Sequence, residues 1–240
     1  MRALLAASAV LALWPGVSPC ASFDKDAIRE LDRMREAYAR VTDYTAHFQK
    51  QERVDGELLP AESIGLKFKK PFKIYMKWLA GPGEGREVLY ATGTNGNRLV
   101  AHDGGFTRSI VMNLDPDGKV AMRGNRHPVT DVGIGRMLDI VTGEVGKARK
   151  AGVGTITVMD STVFGRPARL IVVEAPADGK GVFYARRSEI WQDQALRLPV
   201  KIMVYGWSGE LLESYGYKDL KVNPGLSDRE FERGYDGYRF

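Results

Sequence analysis

Cysteine is nearly absent: Cys20 is the only one in 240 residues. No disulfide can close within the chain, and no thiol pair is available for redox or zinc chemistry. Histidine is scarce as well. His47, His102 and His127 stand far apart, and none has metal-ligand spacing to another His, Cys or acid. No metal and no cofactor is therefore expected. The Gly-x-Ser-x-Gly elbow of a serine hydrolase does not occur. Gly81-Pro82-Gly83-Glu84-Gly85-Arg86 has the glycines of a phosphate loop without its Gly-Lys-Ser/Thr ending, and it runs into a strand pattern, not a helix N-terminus. Nor are cations massed: 35 Lys and Arg face 30 acids, for a net charge of +5, and the two signs are interspersed. A nucleic-acid binder gathers its cations in blocks, so no nucleic-acid partner is expected. What remains is a non-catalytic protein. An enzyme would need one of the three histidines to meet an acid in a cleft.

No apolar run is long enough to span a bilayer comfortably, but a shorter one opens the chain. Arg2 supplies a positive start, Ala3 to Trp14 is apolar, and Pro15, Gly16, Ser18 and Pro19 close the segment. This predicts a signal peptide over residues 1–20, export to the periplasm, and one domain over residues 21–240. Cys20 stands at the expected cleavage point. It is either lost with the peptide or, if Val17-Ser18-Pro19-Cys20 serves as a lipobox, carries lipid and anchors the chain to a membrane.

Alternation is what the sequence has in abundance. Ile64, Leu66 and Phe68 fall on one side of a strand, with Ser63, Lys67 and Lys69 on the other. Pro71 interrupts, because it has no N–H for a ladder. Phe72, Ile74, Met76 and Trp78 then alternate with Lys73, Tyr75 and Lys77. Such a period of two predicts an antiparallel sheet with one apolar and one wetted face. Gly81-Pro82-Gly83 turns the chain, Glu87 to Thr92 is a third strand, and Asn95-Gly96 signals a tight hairpin before Leu99.

Around this meander the chain predicts an amphipathic helix over 24–41, a strand with Tyr44, Ala46 and Phe48, and a turn at Asp115-Pro116-Asp117-Gly118. A weak strand is expected over 107–114 and a loop over 123–130. A second helix over 131–150 carries Met137, Leu138, Val141, Val145 and Ala148 on one face, although four glycines weaken it. Five further strands follow between 155 and 217. The aromatics Phe231, Tyr235, Tyr238 and Phe240 imply a tail packed on the body. The fold class is mainly β (α+β): a curved antiparallel sheet of about ten strands forming an incomplete barrel, with two helices on its concave face.

The apolar face carries the functional candidates. Phe48, Leu66, Phe68, Phe72, Ile74, Met76 and Trp78 serve either as ordinary core or as the wall of a cleft for acyl chains. So many large side chains on adjacent strands are hard to fill to native density with two helices, and Met suits an adaptable apolar site. The alternative working surface is the outward stripe of Lys67, Lys69, Lys73, Tyr75 and Lys77, read as a docking face for an envelope protein or polymer. A monomer is expected.

Tyr44-Thr45-Ala46-His47-Phe48, the strand ending Pro71-Phe72-Lys73-Ile74-Tyr75-Met76-Lys77-Trp78, and Gly85-Arg86-Glu87-Val88 together resemble the outer-membrane lipoprotein carrier (LolA/LolB-like) superfamily, in a secreted branch of unknown function. The resemblance covers about residues 25 to 220. It implies an incomplete barrel whose interior holds lipid acyl chains or the lipid part of a lipoprotein. It also implies a basic strand residue that keeps a helical lid shut, with Lys67, Lys69 and Arg86 as candidates.

Overall fold

The computed structural model describes residues 21–105 and 109–240. The expected signal peptide and Cys20 lie outside the described residues. A short strand β1 (Ser22–Phe23) leads into helix α1 (Lys25–Ala39). Strands β2 (Asp43–Val54), β3 (Glu57–Leu58), β4 (Glu62–Lys69), β5 (Lys73–Ala80), β6 (Glu87–Ala91), β7 (Leu99–His102) and β8 (Met112–Leu114) form a meander. Helix α2 (Ile134–Ala151) follows. Strands β9 (Thr155–Val163), β10 (Arg166–Glu174), β11 (Arg187–Asp193), β12 (Pro199–Tyr205) and β13 (Leu211–Val222) make the second meander.

All thirteen strands belong to one sheet, ordered β1-β9-β10-β11-β12-β13-β2-β4-β5-β6-β7-β8, with β3 beside β2. The two meanders join where β13 pairs antiparallel with β2 and sets Tyr217 opposite Phe48. The end strands β1 and β8 do not meet, so the barrel stays incomplete. Both helices pack on the concave face. Ala27, Leu31, Met34 and Ala37 of α1 join Met137, Leu138, Val141 and Val145 of α2 in the core against Phe48, Ile64 and Ile74 of the sheet. The expected fold class is borne out.

Asp24 caps α1 by accepting from the Asp26 N–H at 2.8 Å, which satisfies one of the helix's free amides. Helix α2 begins three residues later than the sequence predicts, because Val129–Asp131 forms a separate 3-10 turn. Two of its troublesome glycines are needed there. Gly133 has φ +137 and lies under the Tyr44 hydroxyl and the Phe68 ring, and a Cβ on Gly135 would sit 2.6 Å from the Tyr38 ring. Space next to two aromatic rings thus outweighs helix propensity.

Other expectations shift. Asn95-Gly96 does not make a two-residue hairpin: Asn95, Gly96 and Asn97 all have positive φ within a 3-10 turn. Asn97 accepts from the Gly93 N–H at 2.7 Å, and Asn95 donates to Asn113 at 2.9 Å. Those side chains stabilise a wider loop over 92–98. Of the strand expected over 107–114, residues 107–108 lie outside the described residues, and among the rest only Met112–Leu114 is strand. β1 and β3, two residues each, are too short to show a period.

Candidate functional site

Inner-face residues of β2, β5, β7, β12 and β13 do not meet α2 everywhere. Between them and the segment 112–133 lies a cavity of about 250 Å³, lined mostly by apolar side chains. Met76, Trp78, Leu99 and Val204 come from the sheet, Met137 and Val141 from α2, and Val120 and Val129 from the covering segment. An apolar hollow of this kind has no partner atoms for its walls and can be filled by a ligand at little cost in solvation.

One side of the cavity is charged, and it ties the covering segment down. Counting by twos from Phe48 brings Lys50 and Glu52 to the inner face, and the same count on β13 brings Glu213, Tyr215 and Tyr217 inward. Lys50 Nζ, almost wholly buried, reaches Glu52 at 3.2 Å, Glu62 at 3.2 Å and Asn125 Oδ1 at 2.6 Å. Trp78 Nε1–H donates to Glu62 at 2.9 Å. Glu52 accepts from the Arg126 backbone N–H at 2.9 Å and from Tyr215 OH at 2.5 Å. Glu213 Oε1 takes Arg126 Nε at 2.7 Å, His127 Nε2 at 2.9 Å and the Tyr184 hydroxyl. Arg126 also donates to the Arg53 carbonyl at 3.1 Å. Three consecutive residues, Asn125 to His127, thus fasten the segment to β2 and β13.

The titrating groups of this latch reflect their setting. Burial alone would raise the Glu213 carboxyl, but hydrogen bonds and charge from His127, Tyr184 and Arg126 hold it below its ordinary value. The hydrogen bond to Glu213 raises His127 against the opposing effect of burial. Burial pushes the Tyr215 phenol far up, with the charges of Glu213 and Glu52 adding to it, so it stays a neutral donor.

The predicted cleft residues divide. Phe48, Met76 and Trp78 line the cavity. Leu66, Phe68, Phe72 and Ile74 do not: they fill core beside it. Phe68 stacks on Tyr44 at 4.8 Å and meets Phe72 edge-on at 5.3 Å, while the Tyr44 hydroxyl accepts from the Ile134 N–H at 3.2 Å. The start of α2 covers that end of the sheet and leaves no space. Sequence reasoning missed Lys50, Glu52, His127 and Glu213. The available signal was charge at inner positions of an alternating strand.

The lysine stripe lies on the convex face, and the chain's own tail occupies it. Lys67 pairs with Glu230 at 2.9 Å, and Asp228 receives Lys69 at 2.8 Å and Lys73 at 2.9 Å. Tyr75 lies under Tyr238, and Phe231 is buried over Leu89 and Val100. Lys77 contacts Glu87 at 3.5 Å. None of the three candidates for a lid-holding cation serves: Lys67 and Lys69 hold the tail, and Arg86 pairs with Asp103 at 2.7 Å. Two other cations hold the cover: Arg126, which belongs to the cover itself and reaches Glu213, and Lys50 of β2, which reaches the cover at Asn125.

No group of three His, Cys, Asp or Glu among the described residues has the geometry of a metal site. No helix among them is long and apolar enough to cross a membrane.

Residues 41–240 match the family model described as protein of unknown function, DUF1571. No curated protein matches the sequence. Among solved structures, LppX, a lipoprotein of Mycobacterium tuberculosis, is 15% identical with a TM-score of 0.52, over 85% of this chain and 98% of that one. MucB is 17% identical with a TM-score of 0.49, over 88% of this chain and 64% of its own, so this chain spans under two thirds of that protein. A LolA superfamily protein of Nitrosomonas europaea is 12% identical with a TM-score of 0.36, over 87% of this chain and 98% of that one. The likeness to LppX is one of fold. The expected branch of unknown function is borne out by the family match, and the fold is shared with LppX.

Proposed function

The chain belongs to the DUF1571 family, and we propose that it is a non-catalytic periplasmic carrier that holds the acyl part of a lipid or lipoprotein in the cavity beneath residues 112–133. On this reading residues 21–240 act as one carrier-like unit. The observation that carries it is the apolar hollow of about 250 Å³ between Trp78, Met76 and α2. Each buried methylene contributes about 0.8 kcal/mol, so eight to ten of them suffice, at about 6–8 kcal/mol, to offset a large part of the cost of association.

Two other readings are weaker on physical grounds. His127 does stand beside Glu213 at 2.9 Å on the cavity wall, the arrangement an acid–base enzyme would need. Glu213 Oε1, however, also holds Arg126 and Tyr184, which restrains the pair as a fastener and leaves it poorly placed to exchange protons. The scaffold alternative would use Lys67, Lys69, Lys73, Tyr75 and Lys77, and residues 226–240 already cover that stripe.

Native mass spectrometry on protein purified from a bacterial periplasm, followed by lipid extraction, tests the proposal. Acyl-bearing species should co-purify or be taken up on addition. They should be lost when Ala101, on the cavity wall, is replaced by Phe. A clean mass for the unmodified protein together with no uptake of added lipid would end the reading.

A further inference from the structure

The cavity wall is balanced in charge at all but one position. Among its carboxylates, Glu52 has Lys50, Asp103 has Arg86, Asp131 has Arg136, Glu144 has Lys147, Glu174 has Arg187 and Glu213 has Arg126. Its cations Lys50 and Arg86 are consumed in the same pairs. Arg123 differs. It belongs to the cavity wall and is exposed, and its guanidinium has no hydrogen bond or ion pair among the described residues. Val120, one turn earlier in the same segment, also lines the cavity and is 52% exposed. An apolar side chain and an unmatched planar cation thus stand together where the hollow opens to water.

We propose that the mouth of the cavity selects a single-chain amphiphile with an anionic head, a carboxylate or phosphate met by Arg123, while its chain enters past Val120. The inference rests on the acyl-binding reading above and adds the number of chains and the sign of the head. An apolar cavity of about 150 Å³ takes up benzene. By that scale about 250 Å³ takes a chain of about ten carbons and excludes the several chains of a whole membrane lipid while the cover is fastened. Arg is suited to the head because its fork of N–H groups matches a carboxylate or phosphate in two bonds. A cationic head would face the same guanidinium unscreened by any neighbouring carboxylate of its own.

The test compares decanoate, decanol and decylammonium at neutral pH and low salt, read by calorimetry. Decanoate should bind about 1.4- to fivefold tighter than decanol, the range for an exposed charge pair, and decylammonium weakest. Arg123→Gln should bring decanoate level with decanol. Arg35→Gln, which removes the same charge from an exposed position on α1, should leave the ratio as it was, and that excludes a general effect of net charge. Decanol binding as tightly as decanoate, or a decanoate preference that survives Arg123→Gln, would overturn the assignment and leave the cavity reading intact. If none of the three binds, both readings fail. Didecanoyl phosphatidic acid binding as well as decanoate would overturn the single-chain limit.

Discussion

Tyr75 and Tyr238 stack ring on ring, 3.8 Å between centroids and 9° from parallel, on the side of the sheet away from both helices. Tyr75 points there because it alternates with Ile74 and Met76 on β5. Tyr238 is brought there by a tail that turns through residues 228–231 and buries Phe231. The convex face of β4 to β7 is therefore a second, smaller core. Tyr238→Ala should lower stability by about 1–3 kcal/mol, for the stack and its buried area. Phe231→Ala should cost more, about 3–5 kcal/mol. Urea denaturation read by far-ultraviolet circular dichroism checks both, and unchanged midpoints would mean that the tail folds apart from the sheet.

The tail also carries an acid-sensitive contact. Lys69 and Lys73 hold the Asp228 carboxyl down at about 2, against an ordinary 3.8. Because the folded value is depressed, its contribution is present above 3.8 and is lost as the pH falls through about 2. Ring resonances of Tyr75 and Tyr238 should report a docked tail until that window is reached, with the effect weakened by salt. In Asp228→Asn the dependence should shrink to the part carried by Glu230, which burial would raise but the hydrogen bond and charge of Lys67 hold below its ordinary value. A tail that loosens already near pH 5 in the unmodified protein would contradict this account.

The latch on the covering segment should have two limits in pH. Glu213 is depressed in the folded state, so its contribution is complete above its ordinary 4.5 and is lost as the pH falls through the lower folded value. His127 is raised, so its contribution is complete below its ordinary 6.5 and is lost as the pH rises through the higher folded value. The amide of Arg126, bonded to Glu52, should therefore be best protected from hydrogen exchange between those limits, after correction for the intrinsic rate. His127→Gln should remove the upper limit and keep the lower one. Protection that is flat across both would show that the cover is held without Glu213 and His127 titrating, by contacts such as that of Lys50 with Asn125.

Core and cavity residues should separate cleanly on mutation. Phe68→Ala removes a ring packed between Tyr44 and Phe72 and should cost about 3–5 kcal/mol with decanoate uptake retained by the folded fraction. Ala101→Phe fills space already open and should cost less than the about 1–3 kcal/mol of overpacking a filled core, while uptake is abolished. The opposite pattern would exchange the roles of the two regions.

Much of this was written in local order. Period two in Ile64 to Trp78 determined the strands and which side chains face inward, and the three- and four-residue spacing of Leu31, Met34, Val141 and Val145 determined the helices. The inward positions of Lys50, Glu52 and Glu213 were also legible, because alternation assigns a face whatever residue occupies it. What to make of those charges was not legible, since their partners Asn125, Arg126 and His127 lie in a segment without periodicity, 75 residues away for Lys50 and Asn125.

Tertiary structure alone decided where the apolar face is filled and where it is hollow. Phe68 and Met76 have the same inward orientation, and only the seating of α2, with Gly133 and Gly135 pressed against Tyr44 and Tyr38, closes the space over one and leaves it open over the other. It likewise decided that the outward lysines meet the chain's own tail. A residue's face follows from backbone geometry within a few neighbours, which sequence carries. What covers that face depends on segments far away in the chain, and only packing brings them there.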